Sequence, residues 1–566
     1  MVARYLVSPY GGRRAYPDIT SALRAAAGRG RSALIEIAPG RYEETLTVHG
    51  EVRLTAVDGP GSVVVSRTRG AVLDASGSVS VHGLVLIGRD ADVVGCHAGT
   101  LTLEHVEIRA DNGVSVHARP NTSVTLRDSV ILHGRTLFAG ADGLVERCRF
   151  ADAADNALAV IEGARVTVRD SRIAGSRIHG VRVNNAWAQL TACEFTGTGQ
   201  AAVMADARAD LTVAGCAITA VHGEGIMFIE QSRGSVDDTR VTDAQHGIGA
   251  ASGADPVVRR CVFTACRDTG INVQTSARGR FEDCEVLDAG NVSVFSTKGG
   301  APEVHGGRIV GGNVGVAVTD GARGRFTGIA IEGLTGTALR SFDDSRAVFE
   351  HLRVERCPTG LETQGSGGTT AELADTVFRD FRVAAVAAGG QSRVTLKRVT
   401  AERGTVGFGA AEDAQLFVHD SDVTAVDNGG AVAVGKSRLF ARNLTVTGSD
   451  GIGLCGKDSA YLDVAESAFA DCAIAGAVFD DECGGRLADC SVTGTRGKGV
   501  QHNGRVDLVA LHTSLPVVRK PDRQAEPAQT IIHTGLVIHG DVHGSQFAWG
   551  NENVIQQQTN EEDPST

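Results

Sequence analysis

A repeat of 22 to 23 residues runs through most of this 566-residue chain and limits its fold more than any other feature. Each repeat carries an apolar marker residue, which ends a segment resembling residues 166–173. A period of this length indicates a solenoid, in which each repeat packs mainly on its neighbours. We therefore expect about nineteen stacked coils rather than several separate domains. The markers are Leu86, Ile108, Ile131, Phe150, Ile173, Phe195, Ile218, Val241, Phe263, Val286, Ile309, Ile331, Val354, Phe378, Ala401, Val423, Val446, Phe469, Val492 and Leu511.

Short alternating runs inside each repeat favour strands over helices. Val166 and Val168 form one such run, and Val181 and Val183 form the next. Alternation of apolar and polar residues over a few positions is typical of half-buried strands. A glycine follows most markers by five to seven residues, as at Gly180 and Gly430, and we expect it to adopt positive φ at a bend. The predicted fold class is all-β: a single-stranded parallel β-helix with three strands per coil.

Composition excludes several function classes. The net charge is -12, whereas binding to a phosphate backbone requires clustered Lys and Arg, so no nucleic-acid partner is expected. No run of apolar residues is long enough for a signal-peptide core or a spanning helix, which predicts no membrane partner and a cytoplasmic location. No phosphate-binding glycine loop is present, and we expect no cofactor.

The cysteines follow the repeat rather than a metal site. None of the twelve forms a Cys-x-x-Cys pair. Nine fall in two columns of the repeat, where we expect small buried hydrophobic side chains and no bound metal. The column two residues before the marker holds Cys148, Cys193, Cys216, Cys261, Cys284 and Cys490, and the column three residues after it holds Cys266, Cys357 and Cys472.

The two ends of the chain differ from the repeats. Residues 17–27 predict a short helix with Asp18 as its cap and Gly28 as its stop, which would cover the open N-terminal end of the solenoid. After Leu511 the period stops, and three prolines mark a linker. The predicted division is a cap over 1–50, the β-helix over 51–513, a linker over 514–529 and a β-prone motif with an acidic end over 530–566.

The N-terminal region resembles the pectin-lyase-like β-helix proteins. The shared pattern is a helix with Ala22 and Ala25–Ala27, followed by Ile35, Ile37, Gly40, Tyr42 and Glu44. The resemblance covers roughly residues 15–515 and implies a right-handed solenoid. It does not imply one activity, since this superfamily includes pectinesterases, polysaccharide lyases, galacturonases, uronan epimerases and repeat proteins without demonstrated chemistry.

Acidic pairs are the candidate catalytic groups. Hydrolysis of a glycosidic bond requires two carboxylates that converge on one cleft. The candidates are Asp343, Asp344, Asp480, Asp481 and Glu482. All lie 11 to 13 residues after a marker, as do acidic residues of other coils, so their register favours a turn position with a local backbone role. The family's galacturonase, epimerase and pectinesterase signatures beyond Gly-x-Tyr-x-Glu have no match.

The C-terminal segment resembles the short amyloid-like signalling motifs of bacterial immune-type receptors and effectors. It has no proline and few charges between residues 530 and 559, which is typical of cross-β segments. The resemblance predicts assembly by strand addition, although the segment 548–550 departs from the motif. The alternative is a hairpin that closes the C-terminal end of the β-helix. The predicted assembly residues are Val537, Gly540, Val542, Gly544, Gln546, Phe547, Trp549, Val554, Ile555 and Gln556.

Two functions follow from these patterns. The favoured one is a noncatalytic recognition or scaffold protein of a bacterial signalling or conflict system, with a protein partner bound through the C-terminal motif or a glycan bound on a β-helix face. Self-association through the motif is a further expectation. The alternative is a polysaccharide lyase or glycoside hydrolase that acts on uronate-containing glycans.

Overall fold

The computed structural model describes residues 2–12, 15–28, 32–111 and 113–520, together with the backbone of 536–539 and 546–549. The chain forms two compact units: unit 1 comprises residues 1–335 and 345–348, and unit 2 comprises 336–344 and 349–566. Both consist of parallel β-solenoid coils, about 21 in all. The sequence predicted about nineteen coils. The difference arises because the first coils contain strands but no marker residue, so a count of markers misses them.

From the N-terminus to residue 335 the elements are β1 (Ala3–Val7), β2 (Ala15–Tyr16), α1 (Ile19–Ala27), β3 (Ala33–Ile37), β4 (Gly40–Glu43), β5 (Leu46–Ala56), β6 (Val63–Arg67), β7 (Leu73–His82), β8 (Leu84–Gly88), β9 (Val94–Glu104), β10 (Glu107–Ala110), β11 (Val114–Ala118), β12 (Thr122–Arg127), β13 (Val130–Leu132), β14 (Arg135–Ala139), β15 (Asp142–Glu146), β16 (Arg149–Ala151), β17 (Leu158–Ile161), β18 (Arg165–Arg169), β19 (Arg172–Ala174), β20 (Val181–Asn184), β21 (Trp187–Thr191), β22 (Glu194–Thr196), β23 (Val203–Asp206), β24 (Asp210–Ala214), β25 (Ala217–Thr219), β26 (Glu224–Phe228), β27 (Arg233–Asp237), β28 (Arg240–Thr242), β29 (His246–Ala250), β30 (Asp255–Arg259), β31 (Val262–Thr264), β32 (Thr269–Val273), β33 (Arg278–Glu282), β34 (Glu285–Leu287), β35 (Val292–Ser296), β36 (Ala301–His305), β37 (Arg308–Val310), β38 (Val314–Val318), β39 (Arg323–Thr327) and β40 (Ala330–Glu332).

From residue 336 onward they are β41 (Thr337–Phe342), β42 (Arg346–Glu350), β43 (Arg353–Glu355), β44 (Thr359–Gln364), β45 (Thr370–Ala374), β46 (Val377–Ala388), β47 (Arg393–Lys397), β48 (Thr400–Ala410), β49 (Gln415–Ala433), β50 (Arg438–Thr447), β51 (Ile452–Gly456), β52 (Tyr461–Ala465), β53 (Ala468–Ala470), β54 (Ala475–Phe479), β55 (Gly484–Ala488), β56 (Ser491–Thr493), β57 (Lys498–His502), β58 (Val506–Val509), β59 (His512–Thr513), β60 (Val517–Arg519), β61 (Leu536–His539) and β62 (Gln546–Trp549).

Each complete coil contributes one strand to each of three parallel sheets. In unit 1, for example, β17 lies in sheet I, β18 in sheet II and β19 in sheet III, and each pairs with the equivalent strand of the next coil. Unit 2 repeats the arrangement with β51, β52 and β53. Some strands of unit 2, such as β49, run through all three sheets without a break.

The predicted markers form the inward column of sheet III. Ile173 pairs with Phe195, and Phe195 pairs with Ile218, each nearly fully buried. In unit 2 the same column runs through Val446, Phe469 and Val492. The last predicted marker is wrong, because Val492 pairs with Thr513 rather than with the neighbourhood of Leu511. Sheet III ends at this strand in the described residues. No further strand stacks on it there, so an apolar residue is not required at this position.

The turn between sheets II and III explains the cysteine column. The first turn residue is left-handed, as at Asp170, and the second is a small side chain that accepts the N–H of its equivalent one coil earlier. Ser171 Oγ accepts from Cys148 N at 3.0 Å, and Cys216 Sγ accepts from Cys193 N at 3.4 Å. All nine cysteines of the two predicted columns are buried, which confirms their structural role.

Helix α1 begins and ends as predicted. The Asp18 side chain accepts from Ser21 N, and the N–H of Gly28 donates to Arg24 O and Ala26 O. Glu44 also contributes, because its carboxylate accepts the N–H groups of Ile19 at 3.0 Å and Thr20 at 2.8 Å. The glutamate of the Gly-x-Tyr-x-Glu pattern thus satisfies N–H groups in the first turn of the helix.

The glycines that follow the markers were predicted to adopt positive φ, and this prediction is wrong. Glycine is required there because neighbouring atoms approach its Cα too closely for a side chain. Gly180 and Gly430 both have negative φ. A Cβ on Gly430 would lie 2.3 Å from Val446 Cγ1, the marker of the next coil, and 2.6 Å from Gly453 O. The inward side chain of sheet III therefore fills the space that a side chain on sheet I would need.

We expect Gly430→Ala to destabilise unit 2 by about 1–3 kcal/mol, because the added methyl group overpacks a closed interior. Gly367→Ala is the matched control, since Gly367 is exposed and its Cβ would have nearest contact at 3.6 Å. Urea unfolding monitored by circular dichroism measures both. Equal stability of the two variants would contradict the close-approach explanation.

Candidate functional site

The candidate carboxylates occupy turns between sheets I and II of unit 2. Asp343, Asp344 and Asp481 have φ values of 51°, 59° and 50°, in the left-handed region that Asp tolerates. Asp344 Oδ1 accepts from Gly368 N at 3.2 Å. Asp480 accepts from Lys520 Nζ at 2.9 Å with both oxygens. These carboxylates thus stabilise turns, as their register suggested.

The two acidic groups do not converge. Six strand pairings of sheet I separate the coil of Asp343 from that of Asp481. At ~4.8 Å per strand, this is a separation of about 29 Å. Glycoside hydrolysis needs its carboxylates within about 5–10 Å. Glu482 lies beside Asp481 but is exposed, 3.9 Å from Arg505.

The sequence did not reveal an apolar groove on the outward face of sheet I in unit 2. The inward residues of these strands, such as Phe408 and Leu454, are fully buried in the core. The alternate residues point outward, yet several of them are buried too. This outward column, which we call the sheet I groove, consists of Arg340, Glu362, Ala387, Gly409, Val432, Cys455, Val478, Gln501 and Val518.

Turn residues on the flanks bury the floor of the groove. Val434 and Ala411 pack with Ala387 and Val432 in one cluster, against which Val383 and Cys455 also lie. Beside this cluster a cavity of about 160 Å³ opens to solvent. Its wall includes Ile474, of which 56% is exposed. The cavity is lined by Asp427, Asn428, Val432, Val434, Asp450, Gly451, Ile452, Cys455, Lys457 and Ile474.

A buried ion pair lies at one end of the groove. Glu362 Oε2 accepts from Arg340 Nε at 3.1 Å and from Thr337 Oγ1 at 3.0 Å, and only 2% of the glutamate side chain is exposed. Its Oε1 has no hydrogen-bond partner among the described residues. Burial raises the pKa of the Glu362 carboxyl above its usual value, although the Arg340 charge opposes the shift.

One thiol faces the groove. Cys455 is partly exposed, whereas the other eleven cysteines are buried. Burial raises the pKa of the Cys455 thiol to about 11, so the thiol is mostly protonated near neutral pH.

The faces of Phe417 and Phe440 in sheet II of unit 2 are occupied by neighbouring side chains. Phe417 and Phe440 stack on each other with centroids 4.9 Å apart and planes at 9°, and Arg393 lies over Phe417 at 4.5 Å. Both faces of Phe417 are therefore covered, and Phe440 lies between Phe417 and Tyr461, whose ring centroid is 6.4 Å away. This arrangement stabilises adjacent coils.

Among the described residues of unit 1, Glu104, His105 and Asp128 have the spacing of metal ligands. Asp128 is held by a bidentate ion pair with Arg147, at 2.8 and 2.9 Å, which lowers the pKa of its carboxyl. Arg147 therefore occupies the lone pairs that a cation would need. The residues fit an ion-pair ladder better than a metal centre.

Sheet I of unit 1 also brings polar groups together. His246 pairs in register with Glu224 and Thr269, and its Nδ1 hydrogen-bonds the Thr269 hydroxyl and lies 3.9 Å from Asp268 Oδ2. His246 is the single imidazole of this cluster, and it is already hydrogen-bonded to the neutral hydroxyl of Thr269.

Comparison with known proteins identifies the family. The model of the right-handed β-helix region matches residues 137–273, 247–380 and 359–510, which together span more than half of the chain. The chain belongs to the right-handed β-helix family. A search of curated proteins finds no match.

Solved structures resemble this β-helix protein only distantly. Pectate lyase Pel9A is 12% identical and covers 52% of this chain and 77% of its own, with a TM-score of 0.31. Alginate lyase AlyGC, of the PL6 family, is 10% identical, with coverage of 90% and 92% and a TM-score of 0.27. PfbA, a surface adhesin of Streptococcus pneumoniae, is 12% identical, with coverage of 59% and 92% and a TM-score of 0.27.

The residues predicted for C-terminal assembly in the β-helix protein lie partly within the described backbone. Strands β61 and β62 pair antiparallel and include Val537, Gln546, Phe547 and Trp549. The remaining predicted positions, Gly540, Val542, Gly544, Val554, Ile555 and Gln556, lie outside the described residues. No helix in the described part of the chain is long and apolar enough to cross a bilayer.

We expect Glu362→Gln to become more stable relative to the wild type as pH rises. A carboxyl whose pKa is raised by folding binds its proton more tightly in the folded state, so the wild type loses stability as pH climbs from ~4.3 through the folded pKa. Glutamine has no proton to lose. Urea unfolding at about pH 4 and about pH 7 measures the trend.

Glu372→Gln is the matched control for this experiment, because Glu372 lies on an exposed position of β45 and its loss should change stability little at either pH. A pH-independent difference between Glu362→Gln and the wild type would refute the assignment.

Proposed function

We propose that this β-helix protein is a noncatalytic recognition scaffold whose C-terminal motif assembles with a partner protein, or with its own copies, by strand addition. The observation that carries the proposal is the separation of the candidate carboxylates: they stabilise turns six coils apart, and their positions do not form a hydrolytic pair. The long solenoid surface is then best used for binding.

The C-terminal motif supports the assembly part of the proposal. β61 and β62 form a separate two-stranded sheet, to which no other strand of the described residues pairs. Unpaired strand edges accept strands from other chains, and a proline-free segment with few charges favours such pairing. Because the motif resembles bacterial signalling motifs, we further propose that the protein acts in the bacterial cytoplasm.

A second candidate function is an enzyme that acts on uronate-containing glycans. Glu362 favours it, since a buried carboxyl with a raised pKa is suited to donate a proton. Arg340 beside it has the charge to bind a carboxylate group. Against this, the groove beyond Glu362 continues through Ala387, Gly409 and Val432, which supply no second acid or base.

For the assembly proposal, a peptide spanning residues 530–560 is expected to form thioflavin-positive fibrils. Full-length protein should lose self-association, measured by light scattering, when the chain ends at Lys520. The same peptide with Val542→Pro is the control, because proline cannot donate to the strand ladder. A soluble, monomeric wild-type peptide would contradict the proposal.

For the enzyme alternative, a panel of pectate, alginate and other uronans should show neither unsaturated products nor new reducing ends. If activity does occur, Glu362→Gln should abolish it, whereas Asp344→Ala and Asp481→Ala should retain it because both side chains serve turns. Activity that requires Glu362 would overturn the noncatalytic assignment.

A further inference from the structure

The cavity of the sheet I groove is an apolar surface that lacks a covering element in the described residues. Val432 and Val434 form its floor, and Ile474 exposes 56% of its surface at the wall. Asp427, Asp450 and Lys457 provide a polar rim. An exposed apolar patch with a polar rim is typical of a docking site.

The chain leaves the solenoid on this same sheet. β60 pairs with β57, so ordered pairing continues within the predicted linker 514–529 as far as Arg519. Val518 occupies the outward column that contains Val432 and Cys455. Four strand steps separate Val518 from Val432, a distance of about 19 Å. Lys520 is held there by Asp480 and by the carbonyl of His502.

The next described segment has the composition to cover the cavity. The pairing of β61 with β62 places Leu536 opposite Trp549 and Ile538 opposite Phe547. Because successive residues of a strand alternate between faces, these four apolar residues occupy one face of the hairpin. An isolated two-stranded hairpin is marginally stable in water and requires a second apolar surface.

The connection is long enough. Fifteen residues, 521–535, join Lys520 to β61, and a chain of that length spans up to roughly 50 Å. The cavity lies well within this distance. The tethered hairpin therefore has a high effective concentration at the groove of its own chain.

We propose that the hairpin of residues 536–549 docks with its apolar face on the cavity of the sheet I groove in unit 2. Docking also withholds the C-terminal motif from assembly, since cross-β packing between chains needs the face that the cavity covers. This second step rests on the proposed function, whereas the docking itself does not. A ligand that competes for the cavity would release the motif.

Alkylation of Cys455 measures the docking directly, and it is carried out at mildly alkaline pH because burial raises the pKa of this thiol. Cys455 lines the cavity and is the one partly exposed cysteine, so a docked hairpin should protect it. We expect the chain that ends at Lys520, and full-length Ile538→Asp, to react at Cys455 about fivefold faster or more than the wild type, as loss of a contact of 1–2 kcal/mol predicts. Mass spectrometry of the cysteine peptides gives the rate, and buried Cys472 and Cys490 serve as internal standards.

Ile474→Asp tests the cavity side of the contact. Its side chain is exposed, so the fold should tolerate the change. In this background, the rate difference between the full-length and shortened chains should disappear, because the two changes remove the same contact. Val509→Asp is the matched control: Val509 is 44% exposed in β58, away from the cavity, and the rate difference should persist.

The results separate docking from assembly. Equal Cys455 rates in the full-length and shortened chains would overturn the docking. Protection of Cys455 together with a 530–560 peptide that forms no fibrils would support the docking and refute the assembly function. If both hold, full-length Ile474→Asp should assemble faster than the wild type, and an unchanged assembly rate would overturn the withholding step.

Discussion

Parallel stacking of equivalent residues is the constraint on which the rest of the structure depends. Each strand pairs in register with the same strand of the next coil, so each side chain has its own positional equivalent as a neighbour. At a spacing of about 4.8 Å, the two must fit each other in size and polarity. Markers therefore meet markers in sheet III. A small hydroxyl or thiol meets the N–H of the previous coil at the turn between sheets II and III.

The same constraint explains what the sequence could and could not predict about the fold. Period and register follow from spacing alone, which is why the Ile173 and Phe469 columns and the buried Cys216 were predictable. The reason for Gly430 was not, because the contact with Val446 depends on how closely sheets I and III approach across the coil. A repeat pattern contains no information about that distance. Leu511 was misassigned for a related reason: no sheet III strand stacks beyond β59 in the described residues, so the apolar pattern is not enforced.

The sheet I groove could not be predicted from the sequence, because the residues of its floor have the composition of a buried core. In sheets with one solvated face, apolar and polar residues alternate, as in residues 393–397 of β47. In residues 429–433 of β49, by contrast, Gly and aliphatic residues occupy every position, and all five are buried. A continuous apolar run of this kind indicates a strand that is covered on both faces. The apolar run is visible in the sequence. It does not show which of its residues point outward, so it could not predict a groove.

Ladders also give a criterion for function in a solenoid. A residue type that recurs at the same position in many coils has a role that every coil requires, and the acidic turn residues Asp320, Asp343 and Asp458 meet that description. A residue that departs from its column has no such explanation.

Glu362 departs from a column that continues as Ala387 and Gly409, and its charge is tolerated because Arg340 lies in the coil before it. Cys455 likewise lies between Val432 and Val478. Both departures lie on the outward face of sheet I, the sheet from which the chain leaves toward its C-terminal motif. The requirements of the coil alone therefore account for neither residue, which makes this face the part of unit 2 whose side chains call for a role beyond stacking.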